Sequence, residues 1–354
     1  LQRRFEAADV LLAALDDAEA EVRYQAFVAL GLLDSKLSEA QREALSARAA
    51  ALVVDPHPGV QLEARMRVES GVQELLQEAS QALLGAQLAE AESLFQAALT
   101  RAPGSKRAQY RLARFLYDNG QSQRGLDLLR RHGMLLDVPR LPSSPLVDGR
   151  IEGDTAWEAA ARTDSFYLYS HRHAVALPAT QPTRLYAGYT PEALYLAVWS
   201  HDDHPDSLVA KVVPGQEGNQ VGIPLDQSIW QDDVVELFLD ADFDHRAYAH
   251  VGINSAGAAS PEWIAGPRSP ATSLESWADN QWRPRSRLGT HVGADYWSLE
   301  CALEYEPGRL PRPRPGDVWG FNAVRTFRGQ EYNQWTRTYS GGHSPDDFGV
   351  LLFH

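Results

Sequence analysis

Cysteine is almost missing from these 354 residues: Cys301 is the single one. An intrachain disulfide is therefore excluded, and so are paired-cysteine zinc sites and a Cys-x-x-Cys-His haem attachment. Cys301 alternates with Trp297, Leu299 and Leu303 and reads as a small buried apolar residue. Methionine is nearly as scarce, with Met66 and Met134 alone. No run of 18 apolar residues occurs, so no segment reads as a membrane-spanning helix. Catalytic signatures are lacking too. There is no Gly-x-Ser-x-Gly elbow, no His-Glu-x-x-His helix and no glycine-rich phosphate loop. Adjacent acids such as Asp232-Asp233 and Asp346-Asp347 point to opposite faces of a strand and do not converge on one glycosidic bond. The expectation is a chain that is not an enzyme, with nothing implied for any part outside it.

Positive charge is short as well, and unevenly so. Residues 1–138 hold 16 basic and 19 acidic side chains (16 − 19 = −3), and residues 139–354 hold 17 and 28 (17 − 28 = −11). Such a second part repels a polyanion, which excludes nucleic acid as a partner. The chain opens at Leu1 inside a helical pattern and without a methionine, so it reads as a processed or truncated piece of a longer protein. No signal peptide is visible in it.

The first 138 residues contain no tryptophan; all nine lie between Trp157 and Trp335, and 18 of the 21 prolines also follow residue 138. A helical part followed by a β-rich part explains both. In the helical part, "LDDAEAEVRYQAFVALGLL" sets Val22, Ala26, Ala29, Leu30 and Leu33 at helical spacing after an acidic turn. "VVDPHPGVQLEARMRV" repeats it weakly, with Val60 in the place of Val22, an offset of 60 − 22 = 38. The Val22-Arg23 and Leu30-Gly31 pairs resemble the HEAT repeat, here over residues 1–70. Farther on, Ala86, Ala91 and Phe95 recur as Gly120, Gly125 and Leu129, each at an offset of 34. That is the length of a tetratricopeptide repeat, which residues 71–132 resemble. Helix pairs of this kind stack on their neighbours and often present a docking surface for a protein partner or an adjoining domain. The Pro-, Ser- and Gly-containing stretch 133–146 reads as a linker.

From residue 147 onward, period-2 segments dominate: "RLYAGY", "ALYLAVWS", "SIWQDDVVELFLD", "AYAHVGIN", "YWSLECALEY", "VWGFNAVRTF" and "FGVLLF". Short strands between Gly-, Pro- and Asp-rich turns predict an antiparallel β-sandwich. The fold class is thus multidomain, α then β: a short α-solenoid followed by that sandwich. The strand of Val235, Leu237 and Leu239 joins the strand of Ala249, Val251 and Ile253 through "DADFDHR". Odd-numbered core residues on both strands require facing partners to sum to an even number. A turn centred near Phe243 sets Glu236 opposite His250, with both on the outer face beside Trp230.

"LVDGRIEGDTAWEAA", "ALYLAVWSHDD", "WQDDVVELFLD", "HVGINSAG", "WSLECALEY", "WGFNAVRTFRGQEYNQWT" and "DDFGVLLF" occur in this order. Together, over residues 147–354, they resemble carbohydrate-binding module family 9 and the related DOMON-like sandwiches. The resemblance implies a sugar held between two tryptophans, with polar side chains on its hydroxyls and calcium bracing loops. The residues matching that pattern are Trp230, Glu236, His250, Asn254, Asn322, Arg325 and Trp335. Indole faces suit the C–H patches of a pyranose, and a carboxylate accepting from hydroxyls makes a charge-assisted hydrogen bond. Asn322 and Arg325 face opposite ways on a regular strand, so one of them at most lines a site.

Asp240, Asp242 and Asp244 alternate through a turn and offer oxygen ligands suited to calcium; Asp202, Asp203 and Asp206 form a second acidic cluster. His201, His204, His171 and His173 read as surface histidines rather than metal ligands. Both methionines precede the sandwich, so Met/His haem ligation inside it is excluded while bis-His ligation stays open. The leading expectation is a non-catalytic carbohydrate-binding module joined to a helical protein-interaction segment, part of a larger secreted or periplasmic protein. The alternative is a structural or assembly domain of an extracellular or periplasmic complex, haem-associated or not, with no sugar ligand.

Overall fold

The computed structural model describes residues 2–169, 175–215, 228–265 and 278–354, with side chains from residue 7 onward. Two compact units emerge, one covering Leu1–Gly125 and Ser170–Ala176 and one covering Leu126–Tyr169 and Leu177–His354. Among the described residues, no helix is long and apolar enough to cross a membrane.

Seven helices run through the first unit and into the start of the second: α1 Gln2–Ala14, α2 Ala20–Leu33, α3 Glu39–Leu52, α4 Pro58–Leu84, α5 Leu88–Arg101, α6 Lys106–Asp118 and α7 Ser122–Arg131. Local signals set their starts. At α3, Ser38 accepts from the Gln41 amide while the Gln41 side chain returns to the Ser38 amide, a reciprocal capping box. Pro58 opens α4, and His57 Nδ1 accepts from the Val60 amide at 3.3 Å. Arg23 of α2 forks onto the Asp55 carboxylate at 2.9 and 3.1 Å, fixing the acidic turn ahead of α4.

Farther along, Ala86 and Gly120 both adopt left-handed backbone, with φ of 57° and 80°. The two positions spaced by 34 residues therefore do the same job after α4 and after α6. Gly125 lies so close to α6 that a Cβ there would stand 2.5 Å from the Ala113 carbonyl oxygen. The expected division between repeat types at residues 70 and 71 falls inside α4, one continuous helix of 27 residues.

A second correction concerns the expected linker 133–146. Leu135–Val138 form strand β1, parallel to the last strand, β14 (Gly349–Phe353), with Leu135 opposite Val350. Leu135, Leu136 and Val138 are buried, and that burial outweighs the breaking tendency of the prolines that follow. Beyond β1, the Leu141 amide donates to the Tyr189 carbonyl at 2.8 Å and keeps the chain on the sandwich.

The other strands are β2 Ala161–Thr163, β3 Tyr167–Leu168, β4 Thr183–Tyr189, β5 Ala193–His201, β6 Val234–Asp240, β7 Tyr248–Asn254, β8 Ala259–Ile264, β9 Ala278–Asp279, β10 Ser286–Val292, β11 Tyr296–Glu304, β12 Val318–Phe327 and β13 Glu331–Gln334. One sheet has the order β1-β14-β12-β6-β7-β8-β9, with β13 joining β12 to β3; the other has the order β10-β11-β5-β4-β2. Apart from β1 and β14, the pairings between these strands are antiparallel. The inner faces meet over Leu194, Leu196 and Val198 from one sheet and Val235, Leu237, Leu239, Val251 and Ile253 from the other. Cys301 lies in this core, and burial pushes its thiol pKa up to about 12, far from reactivity.

Leu141, Ile151 and Trp157 of the short helix α8 (Thr155–Glu158) pack on Tyr195 and Ala197, covering part of the outer face of the smaller sheet. Trp157 donates its indole N–H to Glu300, whose other oxygen accepts from the Asp148 and Gly149 amides at 2.8 and 2.6 Å. The outer face of the larger sheet carries the outward side chains of β6, β7 and β8.

Candidate functional site

The parity expected for β6 and β7 holds, while the register is two residues away from the expected one. Glu236 faces Gly252, and His250 faces Phe238. Glu236 and His250 nonetheless meet on the diagonal, with the imidazole Nε2 at 2.9 Å from the Glu236 Oε2. On the other side, Nδ1 lies 3.2 Å from Oε2 of Glu262, which β8 places directly opposite His250.

Three rings pile up on this face. His250 stacks on Phe238 at 4.4 Å between centroids and 9° between planes. Trp230 stacks on the other side of His250 at 5.0 Å and 12°. Trp230 comes from a short turn, Ile229–Gln231, whose start is capped by the Ser228 hydroxyl. Its ring overhangs Gly252, where a Cβ would stand 2.5 Å from the indole, so the absent side chain at 252 makes the seat. His343 closes one end, edge-on to His250 at 4.7 Å, and takes a 2.9 Å contact from the Tyr248 hydroxyl.

His250 is buried while Trp230, Glu236 and Glu262 are partly exposed. Burial by itself disfavours a charged imidazole, but the hydrogen bonds and charges of Glu236 and Glu262 outweigh it and raise the His250 pKa to about 9. The result is a partly buried indole, flat on its support, beside two carboxylates.

The remaining expected site residues are structural. Trp335 is fully buried in the core, 5.7 Å from Phe321, and its amide donates to the Ala323 carbonyl. It therefore lies on the inner side of the sheet whose outer side carries Trp230, and the expected pair of tryptophans around one sugar does not form. Asn254 is buried and spends its amide on the Val212 carbonyl and Asp232 at 2.7 and 2.8 Å, and its oxygen on the Ala256 and Ala258 amides. Asn322, also buried, ties down Thr336 through both its amide and its carbonyl. Arg325 is buried on the inner side, donating to the Pro182 carbonyl and the Thr183 hydroxyl at 3.2 and 3.1 Å and to the His201 carbonyl. Burial lowers its pKa to about 10. Asn322 and Arg325 do face opposite ways, as expected: Asn322 lies on the outer face, directly opposite Phe238, but its amide group is spent on Thr336, and Arg325 lies on the inner side.

Asp232 and Asp233 serve the backbone. Asp232 accepts from the Lys211 and Val212 amides, and Asp233 from the Val209 and Arg328 amides. These bonds pin the described ends of the segments around Trp230. Phe238, Glu262 and His343 are the members of the site that the sequence reading did not select.

At the β6–β7 turn, Asp240, Asp242 and Asp244 bring one carboxylate oxygen each within 4.8 Å of one another. Phe243 and His245 have positive φ, 54° and 63°, and this curls the turn around the acids. Asp240 is buried; its Oδ2 accepts from the His245 amide at 2.9 Å while its Oδ1 has no hydrogen-bond partner among the described residues. Burial first, then the neighbouring Asp242 and Asp244, raise its pKa to about 7. The set fits a hard cation that takes several oxygens.

The second expected acidic cluster does not come together. Asp202 is buried against Arg328 and the His204 amide, while Asp203 is exposed and pairs with His201 at 3.5 Å. His171 and His173 lie outside the described residues.

No curated protein matches this chain. Three solved structures resemble the β-rich unit, each covering 62% of this chain. Two are a carbohydrate binding module family 9 from Caldicellulosiruptor kristjanssonii. In complex with glucose it shows 14% identity, 95% coverage of that chain and a TM-score of 0.42. In complex with cellotriose the values are 15%, 93% and 0.39. The third is a putative carbohydrate-binding protein from Bacteroides uniformis, with 15% identity, 99% coverage of that chain and a TM-score of 0.44. Residues 82–135 match the tetratricopeptide repeat family.

Proposed function

We propose that this chain is a non-catalytic carbohydrate-binding module carried beside a helical segment that docks a protein partner or an adjoining domain. The observation that carries the reading is the Trp230 indole, partly exposed and held flat by His250, with Glu236 and Glu262 beside that imidazole. A flat apolar face next to ionised acceptors matches the two-sided chemistry of a pyranose, whose C–H patches pack on indole while its hydroxyls donate. The platform is one-sided: Trp230 supplies the stacking and Glu236 and Glu262 the directionality. The Asp240, Asp242 and Asp244 turn is read as a calcium site bracing the strand pair that carries them. On this reading the protein is secreted or periplasmic, where polysaccharides are met; fractionation of the native cells tests that.

Isothermal titration calorimetry and tryptophan fluorescence with a panel of neutral, acidic and amino saccharides, including glucose and cellotriose, test the binding. The expected result is saturable binding by at least one member, lost in Trp230→Ala at an unchanged melting temperature. Silence across the panel refutes it. The burial of Trp335, which removes the second indole, favours one competing reading: an assembly domain whose Trp230 face is covered by protein. A co-purifying partner that protects Trp230 from oxidation would establish that alternative.

A further inference from the structure

We propose that His250 is the positioning residue of this site: a cationic imidazole locked between two rings that fixes Glu236 and Glu262 as a pair and leaves one oxygen of each for ligand hydroxyls. This role rests on the saccharide reading given above. Ionised carboxylates only accept hydrogen bonds. An imidazole with one carboxylate on each nitrogen satisfies both only by donating from both, which requires the imidazolium. The distances, 2.9 Å at Nε2 and 3.2 Å at Nδ1, are those of such donation.

The ring cannot turn away, because Phe238 and Trp230 lie nearly parallel on its two faces. In both glutamates the bond runs through Oε2, and among the described residues the other oxygen is neither bonded nor sealed in the interior. Among the described residues, the other titratable groups facing His250 are His343, from the loop ahead of β14, and Tyr248 of β7, which contacts His343. Neither replaces the charge between the two carboxylates. Without the imidazolium the carboxylates repel each other, and the acceptor pair loses its geometry although Trp230 keeps its support. His250 touches no ligand in this scheme; it acts through Glu236 and Glu262.

The test combines binding with proton titration on the full chain. Affinity for glucose and cellotriose is measured by calorimetry from pH 5.5 to 10, and the His250 ring is titrated by nitrogen-15 NMR. The expected affinity is level to about pH 8 and falls at least tenfold over the interval in which the His250 ring loses its proton. Glu262→Gln, which takes one carboxylate from the imidazolium, moves both the ring titration and the alkaline fall to lower pH. His250→Phe keeps a ring in the stack and binds at least tenfold more weakly, with no alkaline fall below pH 10.

Sugar binding that is unchanged in His250→Phe, or an alkaline fall that stays put in Glu262→Gln, overturns the positioning role and leaves the module's function standing. No binding of glucose, cellotriose or any other saccharide of the panel by the unaltered chain overturns both, and a panel member that binds in place of the two takes over the same titration. Should His250→Phe fail to fold, the coincidence of the two titrations in the unaltered chain, or its absence, still decides.

Discussion

Replacing Gly252 by alanine should disable the Trp230 platform without unfolding the sandwich. A Cβ at 252 would stand 2.5 and 2.8 Å from two carbons of the indole. Carbon atoms rest at about 3.5–4.0 Å, so the ring must withdraw by roughly 1 Å or more. Overpacking of a closed core costs about 1–3 kcal/mol, but Trp230 is partly exposed and can swing outward. What it then loses is the stack on His250, an aromatic contact of about 0.5–1.5 kcal/mol. The expected loss of stability is therefore about 1 kcal/mol, a shift of a few degrees in melting temperature at most. Binding should fall far more, by tenfold or beyond, because the indole no longer lies flat beside the carboxylates. Differential scanning calorimetry and sugar titration of the same sample separate the two effects. A variant that binds as well as the unaltered chain would show that the seat on Gly252 is irrelevant to the ligand and would refute the platform.

Four other outcomes are expected. Trp335→Ala should cost about 3–5 kcal/mol, as for other buried tryptophans, seen as a large fall in urea midpoint; selective loss of sugar binding at normal stability would contradict its core position. Asn254→Ala removes four hydrogen bonds in a buried corner and should cost about 2–4 kcal/mol, since each buried group left unpaired costs about 1–3 kcal/mol.

Stability should also depend on His250 protonation. Its folded pKa is raised to about 9 from 6.5, so its contribution is complete below about pH 6.5 and is lost as pH rises through 9. By linkage this amounts to at most roughly 3 kcal/mol, measurable as the difference in urea unfolding between pH 6 and pH 9.5 and reduced in His250→Phe. Finally, millimolar calcium should raise the melting temperature by a few degrees, and Asp242→Asn combined with Asp244→Asn should abolish the rise; an unchanged melting point with calcium refutes the metal site.

Much of the sandwich was legible because period-2 burial leaves a direct mark. Val235, Leu237 and Leu239, and likewise Ala249, Val251 and Ile253, face inward as their alternation requires. Parity alone put Glu236 and His250 on one face. It could not fix which of the two faced which, because the turn through residues 241–247 contains two left-handed residues that no hydrophobic pattern announces. Glu262 escaped because β8 contains Pro261, and a proline argues against a strand except near an edge, where β8 indeed lies.

Trp335 was misplaced for a related reason. Its side depends on its pairing with Ala323 across the short turn between β12 and β13, and one residue of shift in that turn reverses the face. Asn254, Asn322 and Arg325 have residue types suited to sugar hydroxyls, yet the same donors and acceptors satisfy loops and backbone carbonyls. Only their partners distinguish the two uses. In the helical part, the recurrence at 34 residues survived translation into backbone geometry at Ala86 and Gly120.

The strand Leu135–Val138 has a practical bearing on how the β-rich unit can be isolated. A cut at residue 147, where composition alone would place it, strips β14 of its parallel neighbour and bares the backbone groups of Val350–Phe353. An unguarded row of apolar residues with free amides and carbonyls invites self-association. Trimming here would yield a sticky fragment whose poor solubility says nothing about the intact molecule.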